Sequence, residues 1–298
     1  MTSPANAPSR PSLSVVIVRF AGGDRLAASL AALAPQRTDD DPEVVVAHRD
    51  KEGPSDELRE RFPWVRWVAG HTGASPARLR ALGVRATTGA VVACTEDHCT
   101  PAPDWCARIR EAHAANQAVV GGAIDKAPSA DGAAWAAYLL DYTRYMSPLR
   151  PGPAAYASDC NVSYPRESLE GVAGSWNEEF HETTVHWALE RHGVRVKLDP
   201  AIVVLQHREV SIGAWLPERR AHGRIFAATR VAGMSTMQRV RLVMSTYALP
   251  LVIVGRVVQR LRARHLLTCV PRSAWPPLVR AALAWSAGER EGYLREGR

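Results

Sequence analysis

The stretch AVVACTEDHCTPAPDW (residues 90–105) decides how the fold is interpreted, because an apolar run passes directly into a dense polar turn. The run at 90–97 begins with apolar, β-branched residues, as in a strand that is buried on both faces. Two carboxylates and an imidazole follow it as Glu96, Asp97 and His98. Polar groups crowded at the end of a buried strand indicate a candidate site.

The segments around this turn alternate between strand patterns and helix patterns. Apolar runs predict strands at 13–18, 43–48, 65–70 and 90–97, and periodic segments predict helices at 24–36, 55–63 and 75–89. This order implies an α/β fold with a mostly parallel, Rossmann-like sheet and helices on both faces. Ligands of such sheets bind beyond the carboxyl ends of the strands, which is where the polar turn lies.

The pattern continues downstream of the turn, although less regularly. It predicts a helix at 104–116, a strand at 118–124, a loose section to about 156, a strand and helix start within 161–174, a helix at 182–192 and a strand or hairpin ending at His207. Gly193 closes the helix that begins near Glu182, as expected of a glycine at a helix C-terminus. We expect one α/β domain at 12–210, after a flexible lead at 1–11.

The residues of the polar turn leave three interpretations open. Cys94, Cys99 and Cys106 form C-x4-C-x6-C around His98, which is not a familiar zinc spacing, so the cysteines are expected to be buried apolar side chains. Asp97 or its neighbour Thr95 would cap the next helix if the turn were an ordinary one. The third interpretation is a site for Mg²⁺ or Mn²⁺, which prefer oxygen ligands and leave positions for phosphate.

Charge is distributed unevenly along the chain. The formal net charge is +7, but residues 219–280 contain twelve arginines and no Asp, Glu or Lys. That segment carries +12, so the rest of the chain carries −5. A basic tail at 211–298 suits an anionic surface, either phospholipid or nucleic acid.

An apolar run lies within this basic tail. Residues 242–255 carry no charge, but fourteen residues are fewer than the roughly twenty that a membrane span needs. Arg256, Arg260 and Arg264 then recur at helical spacing, which predicts a basic amphipathic helix lying in a membrane interface. The alternative is a helical cap on the α/β domain, with solvated arginines. We expect an anionic membrane surface as the partner of 219–280 and no nucleic acid, because the arginines lie among apolar residues.

Several segments together resemble the family 2 glycosyltransferases of the GT-A fold, over about residues 12–210. Glu96-Asp97-His98 occupies the slot of that family's D-x-D motif, after an apolar strand and before a proline and a tryptophan helix start. The segment 73–94 is similar to the family's motif with matching arginine and glycine, and 158–174 is similar to its acceptor segment. The segment 177–196 is similar to the family's acidic motif before a helix.

The resemblance implies a role for individual residues. Glu182 is expected as the catalytic base, Arg80, Asp97 and Asp50 as donor or diphosphate ligands, Asn161 and His181 on the acceptor side, and Glu96, His98 and His207 as ligands of Mn²⁺ or Mg²⁺. Alternative roles stay open for two of them. Arg80 would otherwise be an exposed helix charge, and Glu182 a carboxylate that complements a helix dipole. His48 or Arg49 would replace Asp50 if that acid lies too far along the chain.

The resemblance also implies a reaction and a location. We expect an inverting enzyme that moves a sugar from a nucleoside-diphosphate sugar to the hydroxyl of a lipid-linked or natural-product acceptor. The first residues lack the apolar core of a signal peptide, so a cytoplasmic protein, peripheral at the inner face of the membrane, is expected. The alternative function is a non-catalytic protein that binds nucleotide sugars or lipid phosphates at the membrane surface.

Overall fold

The computed structural model describes residues 12–19, 25–38, 41–114, 118–231 and 234–295. The chain divides into two compact units, of which the first holds the described residues up to 127 and 145–207, and the second holds 128–144 and the described residues from 208 onward. The predicted flexible lead at 1–11 lies outside the described residues. The predicted tail at 211–298 falls within the second unit, which also takes in residues 128–144.

Within the described residues, the secondary structure comprises nine strands and ten α-helices. The strands are β1 (Leu13–Val18), β2 (Glu43–Arg49), β3 (Val65–Gly70), β4 (Val91–Glu96), β5 (Cys99–Pro101), β6 (Val119–Lys126), β7 (Gly152–Ala154), β8 (Val162–Pro165) and β9 (Val196–Gln206). The helices are α1 (Arg25–Leu33), α2 (Asp56–Arg61), α3 (Pro76–Arg85), α4 (Trp105–Ala114), α5 (Gly132–Tyr142), α6 (Arg166–Glu170), α7 (Glu182–Arg191), α8 (Ile212–Val231), α9 (Thr236–Ala263) and α10 (Trp275–Arg295).

The first unit is built on one sheet with the strand order β3-β2-β1-β4-β8-β6-β9-β5, and β7 pairs with β9. Strands β1 to β4 are mutually parallel, and Val18 lies level with Ala47 on β2 and with Glu96 on β4. Helix α3 packs on β1, β2 and β3. The predicted α/β class is confirmed, and the carboxyl ends of these strands form one edge of the sheet.

The far half of the sheet mixes directions. β6 and β9 are parallel, whereas β8 runs antiparallel between β4 and β6, and β5 and β7 run antiparallel to β9. The two short strands, β5 and β7, were not predicted because three residues are too few to show a pattern. β5 follows the polar turn directly and seats it against the end of β9.

A continuous apolar core joins the sheet to helices α3 and α7. Its largest side chains come from β8 and the segment before α7, where Tyr164 and Phe180 pack edge to face with ring centroids 5.5 Å apart. The strand residues Val16 and Val92 are fully buried beside them. Burial of this kind stabilises by about 25 cal/mol per Å² of apolar surface, and it fixes α3 and α7 against the strand ends.

The second unit contains a helix that the sequence analysis took for part of a loose section. α5 begins after Asp131, whose carboxylate accepts a hydrogen bond from the Ala133 amide at 2.8 Å. Its buried residues, which include Ala134, Tyr138 and Leu139, point to several sides of the helix. A helix that is apolar on most sides has no single-face periodicity, which explains why the pattern was missed.

Glycines allow α8 and α10 to pack closely in this unit. A side-chain methyl group at Gly223 would meet the carbonyl oxygen of Trp285, and one at Gly288 would meet the carbonyl oxygen of Arg220. The helix α9 packs on α10, where Ser286 donates a hydrogen bond to the carbonyl oxygen of Thr246. The predicted tail is therefore a helical bundle with its own close contacts.

Helix α9 is longer than the apolar run that predicted it. Its 28 residues have the length and composition of a helix that can cross a membrane, and 11% of the apolar window is buried inside the protein. The prediction that this segment is too short to span is wrong for the helix as a whole, because the fourteen uncharged residues are only half of its length. The helix continues at both ends, and its cap is the Ser235 side chain, which accepts a hydrogen bond from the Gln238 amide.

The packing of α8 on α10 predicts opposite effects for two glycine substitutions. Gly288→Ala should lower the free energy of unfolding by about 1–3 kcal/mol, because the added methyl group overpacks the helix contact. Gly255→Ala on α9 is the matched control, since nothing lies within 4 Å of the added group, and alanine should stabilise that helix by up to about 1 kcal/mol. Urea unfolding of both variants measures this, and a neutral Gly288→Ala contradicts the packing.

Candidate active site

The polar turn lies at the edge formed by the carboxyl ends of the parallel strands. Glu96 is the last residue of β4, and the Asp97 amide that follows donates to the Val18 carbonyl at the end of β1. Asp50 opens a short 3₁₀ turn directly after β2 and is exposed. Since β1 lies between β2 and β4, the ends of β2 and β4 are about 10 Å apart across the sheet, and Asp50 lies three residues beyond Ala47, which is level with Glu96. This spacing leaves room for an elongated ligand along the edge.

Arg80 on α3 is the buried centre of this edge. Its Nη2 lies 3.0 Å from Glu96 Oε1 and 2.6 Å from Asp159 Oδ2, and its Nη1 donates to the Phe180 carbonyl at 3.2 Å. The Arg80 side chain is 3% exposed. Both Nη atoms are engaged inside the protein, so the geometry supports positioning of two carboxylates over direct contact with a phosphate. The sequence alternative of an exposed helix charge does not match this burial.

Asp159 is a functional candidate that the sequence analysis missed. It lies just before β8, and its carboxylate is a quarter exposed beside the nearly buried carboxylate of Glu96. The signal in the sequence is an acid two residues before Asn161, within the segment that resembles an acceptor motif. Two carboxylates sharing one guanidinium leave the cluster with excess negative charge.

Glu182 is the first residue of α7 and interacts electrostatically with the same cluster. Burial, followed by the charge of Asp159, raises the pKa of Glu182 to about 7, and Arg80 opposes this increase. A carboxylate that only complemented a helix N-terminus would have its pKa lowered. A carboxylate with a pKa near neutrality is suited to accepting a proton at physiological pH. The neighbouring His181 is exposed, with Nε2 3.1 Å from Glu179 Oε2.

The imidazole of His98 is enclosed by acidic groups and thiols. Its Nε2 lies 3.5 Å from Glu96 Oε2 and its Nδ1 lies 3.7 Å from Asp97 Oδ1. Burial lowers the pKa of His98, but Cys99, Asp97 and Glu96 outweigh it and raise the pKa to about 10. A carboxylate oxygen thus lies within 4 Å of each ring nitrogen, and carboxylate and imidazole groups are donors that suit Mn²⁺. The residues of the polar turn therefore fit a divalent cation in their donor chemistry.

His207 joins this group through the backbone and lies among cations. Its amide donates to the His98 carbonyl at 2.8 Å. Burial, followed by the charges of Arg25, Lys126 and His98, lowers the pKa of His207. Its Nε2 is buried and makes no hydrogen bond within the part of the chain that is described. Arg25 and Lys126 were not predicted, because each is a single cation at the end of an element and matches no motif.

Asn161 is a buried residue that connects the elements around the site by hydrogen bonds. Its Oδ1 accepts from Trp105 Nε1 at 2.9 Å, and its Nδ2 donates to the carbonyls of Ala123 at 2.8 Å and Ile202 at 2.9 Å. The residue is 1% exposed. With its amide fully engaged, Asn161 ties α4, β6 and β9 together, which is a positioning role and not an acceptor-facing one.

Comparison with known sequences gives a match over the part of the chain that carries Arg80, the polar turn and Asp159. Residues 14–172 match the family described as Glycosyl transferase family 2, which is just over half of the chain. No curated protein matches the chain as a sequence relative.

Solved structures resemble the fold over a wider range. The mannosyltransferase PcManGT from Pyrobaculum calidifontis, in complex with GDP-Man and Mn²⁺, has a TM-score of 0.57 at 15% identity, covering 99% of this chain and 90% of that one. GalNAc-T7 with UDP, GalNAc and Mn²⁺ has a TM-score of 0.52 at 14% identity, covering 69% of this chain and 45% of that one. At these identities the likeness shows that the chain has the GT-A fold of glycosyltransferases.

The buried position of Arg80 predicts a large loss of stability when its charge is removed. Arg80→Met should lower the free energy of unfolding by about 3 kcal/mol, because Glu96 and Asp159 lose their shared partner. Arg78→Met is the matched control on the exposed side of the same helix and should change it by less than about 0.5 kcal/mol. Equal effects of the two substitutions in urea unfolding would show that the Arg80 cluster is not a buried ionic centre.

Proposed function

The chain belongs to glycosyl transferase family 2, and we propose that it is an inverting, metal-dependent enzyme that moves a sugar from a nucleoside-diphosphate sugar to an acceptor hydroxyl. The observation that carries this proposal is Glu182, a carboxylate with a raised pKa beside the Arg80 cluster at the ligand edge of the sheet. The nucleotide sugar and Mn²⁺ in the mannosyltransferase structure, and the UDP and Mn²⁺ in GalNAc-T7, support the donor class.

The donor would lie along the edge from β2 to β9. Asp50, exposed after β2, would accept hydrogen bonds from the nucleoside. The diphosphate would lie nearer β4 and β9, where Arg25 and Lys126 supply positive charge beside His207. Cations near a diphosphate stabilise the charge that develops on it as the sugar departs.

A divalent cation, Mn²⁺ or Mg²⁺, would be held by Glu96, His98 and His207, with Asp97 beside them. When bound, it supplies Lewis-acid stabilisation of the departing diphosphate. Arg80 holds the Glu96 carboxylate through Oε1, which leaves Oε2 directed toward the His98 ring at 3.5 Å. An imidazole among these donors favours Mn²⁺ over Mg²⁺.

Glu182 would take the proton of the acceptor hydroxyl as that oxygen attacks the anomeric carbon. One displacement assisted by one base inverts the configuration at that carbon. Asp159 and burial raise the pKa of Glu182, and Arg80 limits the rise, so the base is ionised for a useful fraction of the time near pH 7. His181, exposed at the start of the same helix, borders the acceptor side.

This role predicts the effect of Glu182→Gln on the rate and on its pH dependence. The wild-type kcat should rise as the pH passes upward through about 7 and then level off, because only the ionised carboxylate accepts a proton. Glu182→Gln should lower kcat by roughly 10²-fold or more and remove that rise, with donor affinity unchanged. Release of nucleoside diphosphate from a panel of nucleotide sugars, with Mn²⁺ and with excess chelator, measures the rate.

Glu190→Gln is the control for this experiment, since Glu190 is an exposed carboxylate on the same helix. It should keep both the rate and the pH profile. A near-normal rate of the Glu182→Gln enzyme would show that Glu182 is not the base and only complements the dipole of its helix. Full activity in excess chelator would show that the reaction does not need a metal.

Helix α9 has an apolar outer face, which bears on the kind of acceptor. Exposed side chains recur along it at helical spacing: Met237, Val240, Met244, Tyr247 and Leu251. Leu251 is 78% exposed, which is costly for an apolar side chain in water. Arg241 and Arg256 are exposed on the same helix and would meet anionic headgroups. We propose that this face enters an anionic membrane surface on the cytoplasmic side, which favours a lipid-linked or membrane-proximal acceptor.

Membrane binding predicts sedimentation of the full chain with vesicles that contain anionic lipid, and weaker binding at high salt. The double variant Met244→Asp with Leu251→Asp should lose the binding, because it places charge on the inserted face. Trp187→Glu is the matched control, since Trp187 is an exposed apolar side chain of the first unit. A full chain that stays in solution beside these vesicles at low salt would make α9 a structural helix and the acceptor a soluble molecule.

A further inference from the structure

Two thiols lie within the acidic edge, next to the His98 ring. Cys99 is the first residue of β5, and Cys160 lies just before β8. A ring nitrogen of His98 and the Sγ atoms of Cys99 and Cys160 all lie within 4.8 Å of one another, and all three residues are buried. All five cysteines of the chain are thiols and none forms a disulfide. The fold therefore brings together two thiols that are sixty-one positions apart in the sequence.

A carboxylate lies beside the group. Glu96 Oε2 lies 3.0 Å from Cys160 Sγ and 3.5 Å from His98 Nε2. In a tetrahedral zinc site with Zn–S near 2.3 Å and Zn–N near 2.0 Å, ligand atoms are about 3.5–3.8 Å apart. The two sulfur atoms and the ring nitrogen lie together within 4.8 Å, and the Glu96 oxygen lies beside them, next to Cys160 Sγ.

The surrounding backbone and side chains hold these donors in place. The Thr95 hydroxyl donates to the Cys160 carbonyl at 2.9 Å, and the His207 amide donates to the His98 carbonyl at 2.8 Å. Arg80 fixes the far oxygen of Glu96 at 3.0 Å. Interactions that orient the ligands in this way are a general feature of metal sites.

Gln206 gives an independent indication of a ligand at this place. It pairs directly with Cys99 across β5 and β9, so the two side chains project from the same face of the sheet, with their Cβ atoms about 5 Å apart. Gln206 is 0% exposed, and neither its Nε2 nor its Oε1 has a hydrogen-bond partner within the described residues. A buried amide left without a partner is destabilising. A metal-bound thiolate opposite it would accept its hydrogen bond.

We propose that the two thiols and the His98 ring, with the Glu96 carboxylate beside them, form a binding site for one thiophilic divalent cation, and that this cation is Zn²⁺. Two sulfur ligands and an imidazole select Zn²⁺ over Mn²⁺ or Mg²⁺, which prefer oxygen. Binding replaces the thiol protons, which leave to solvent. If the proposed transfer reaction holds, Zn²⁺ and Mn²⁺ compete, because both use His98 and Glu96. The site itself does not depend on that reaction.

Titration of the reduced, chelator-treated full chain with Co²⁺ tests this site without any sugar donor. We expect one Co²⁺ per chain, with a near-ultraviolet sulfur-to-cobalt charge-transfer band and the visible bands of tetrahedral Co²⁺, and we expect Zn²⁺ to bleach both. Cys99→Ser and Cys160→Ser should each lower the affinity by at least about 10-fold and weaken the charge-transfer band. The controls Cys106→Ala, at a buried thiol away from the group, and Cys269→Ser, at an exposed one, should leave the spectrum unchanged.

Some outcomes would overturn the proposal. They are the absence of a charge-transfer band in the wild-type chain, or a band that persists in both Cys99→Ser and Cys160→Ser. A loss of two titratable thiols on air oxidation, restored by reductant and accompanied by no Co²⁺ binding, would make the pair a redox couple instead. If the serine variants fail to fold, native mass spectrometry of the wild-type chain and of His98→Asn decides, since only the wild type should retain one Zn²⁺.

Discussion

The buried guanidinium of Arg80 is the interaction on which the rest of the site depends. It holds Glu96 and Asp159 at 3.0 and 2.6 Å, yet one positive charge cannot balance two carboxylates and the nearby Glu182. The excess negative charge and burial raise the pKa values of Glu96 and Glu182 to about 7. The same excess provides a physical reason for a cation at this edge, since a divalent ion or the His98 imidazolium would neutralise it.

The positive charge of the tail is neutralised differently from what its composition suggests. Twelve arginines without acids among them were expected to need an anionic surface. Inside the second unit, however, Arg219 pairs with Asp141 and Arg220 pairs with Glu291, while Arg264 donates to backbone carbonyls. These contacts neutralise part of the charge within the protein. The apolar face of α9, whose side chains from Met237 to Leu251 are exposed, is now the stronger argument for a membrane surface.

Site residues that belong to a local sequence motif were predictable. Site residues whose partners lie far away in the sequence were not. The four strands from β1 to β4 follow from short apolar runs, and Glu96, Asp97 and His98 follow from their position after one of them. Asp159 was missed because its partner Arg80 lies far away in the chain. Cys160 was assigned to the core because spacing along the chain does not show that β5 and β8 bring it to Cys99. Helix α5 was missed because its burial on several sides removes the helical pattern.

Thermal unfolding of the full chain with nucleotide sugars, in the presence and absence of Mn²⁺, tests the central claim most directly. The claim is that a nucleoside-diphosphate donor and a divalent cation bind together at the edge organised by Arg80. A donor at 100 times its Kd should stabilise the native state by about 2.7 kcal/mol, and chelator should remove most of that gain. If no nucleoside-diphosphate sugar raises the unfolding temperature in either condition, the edge is not a donor site and the account is contradicted.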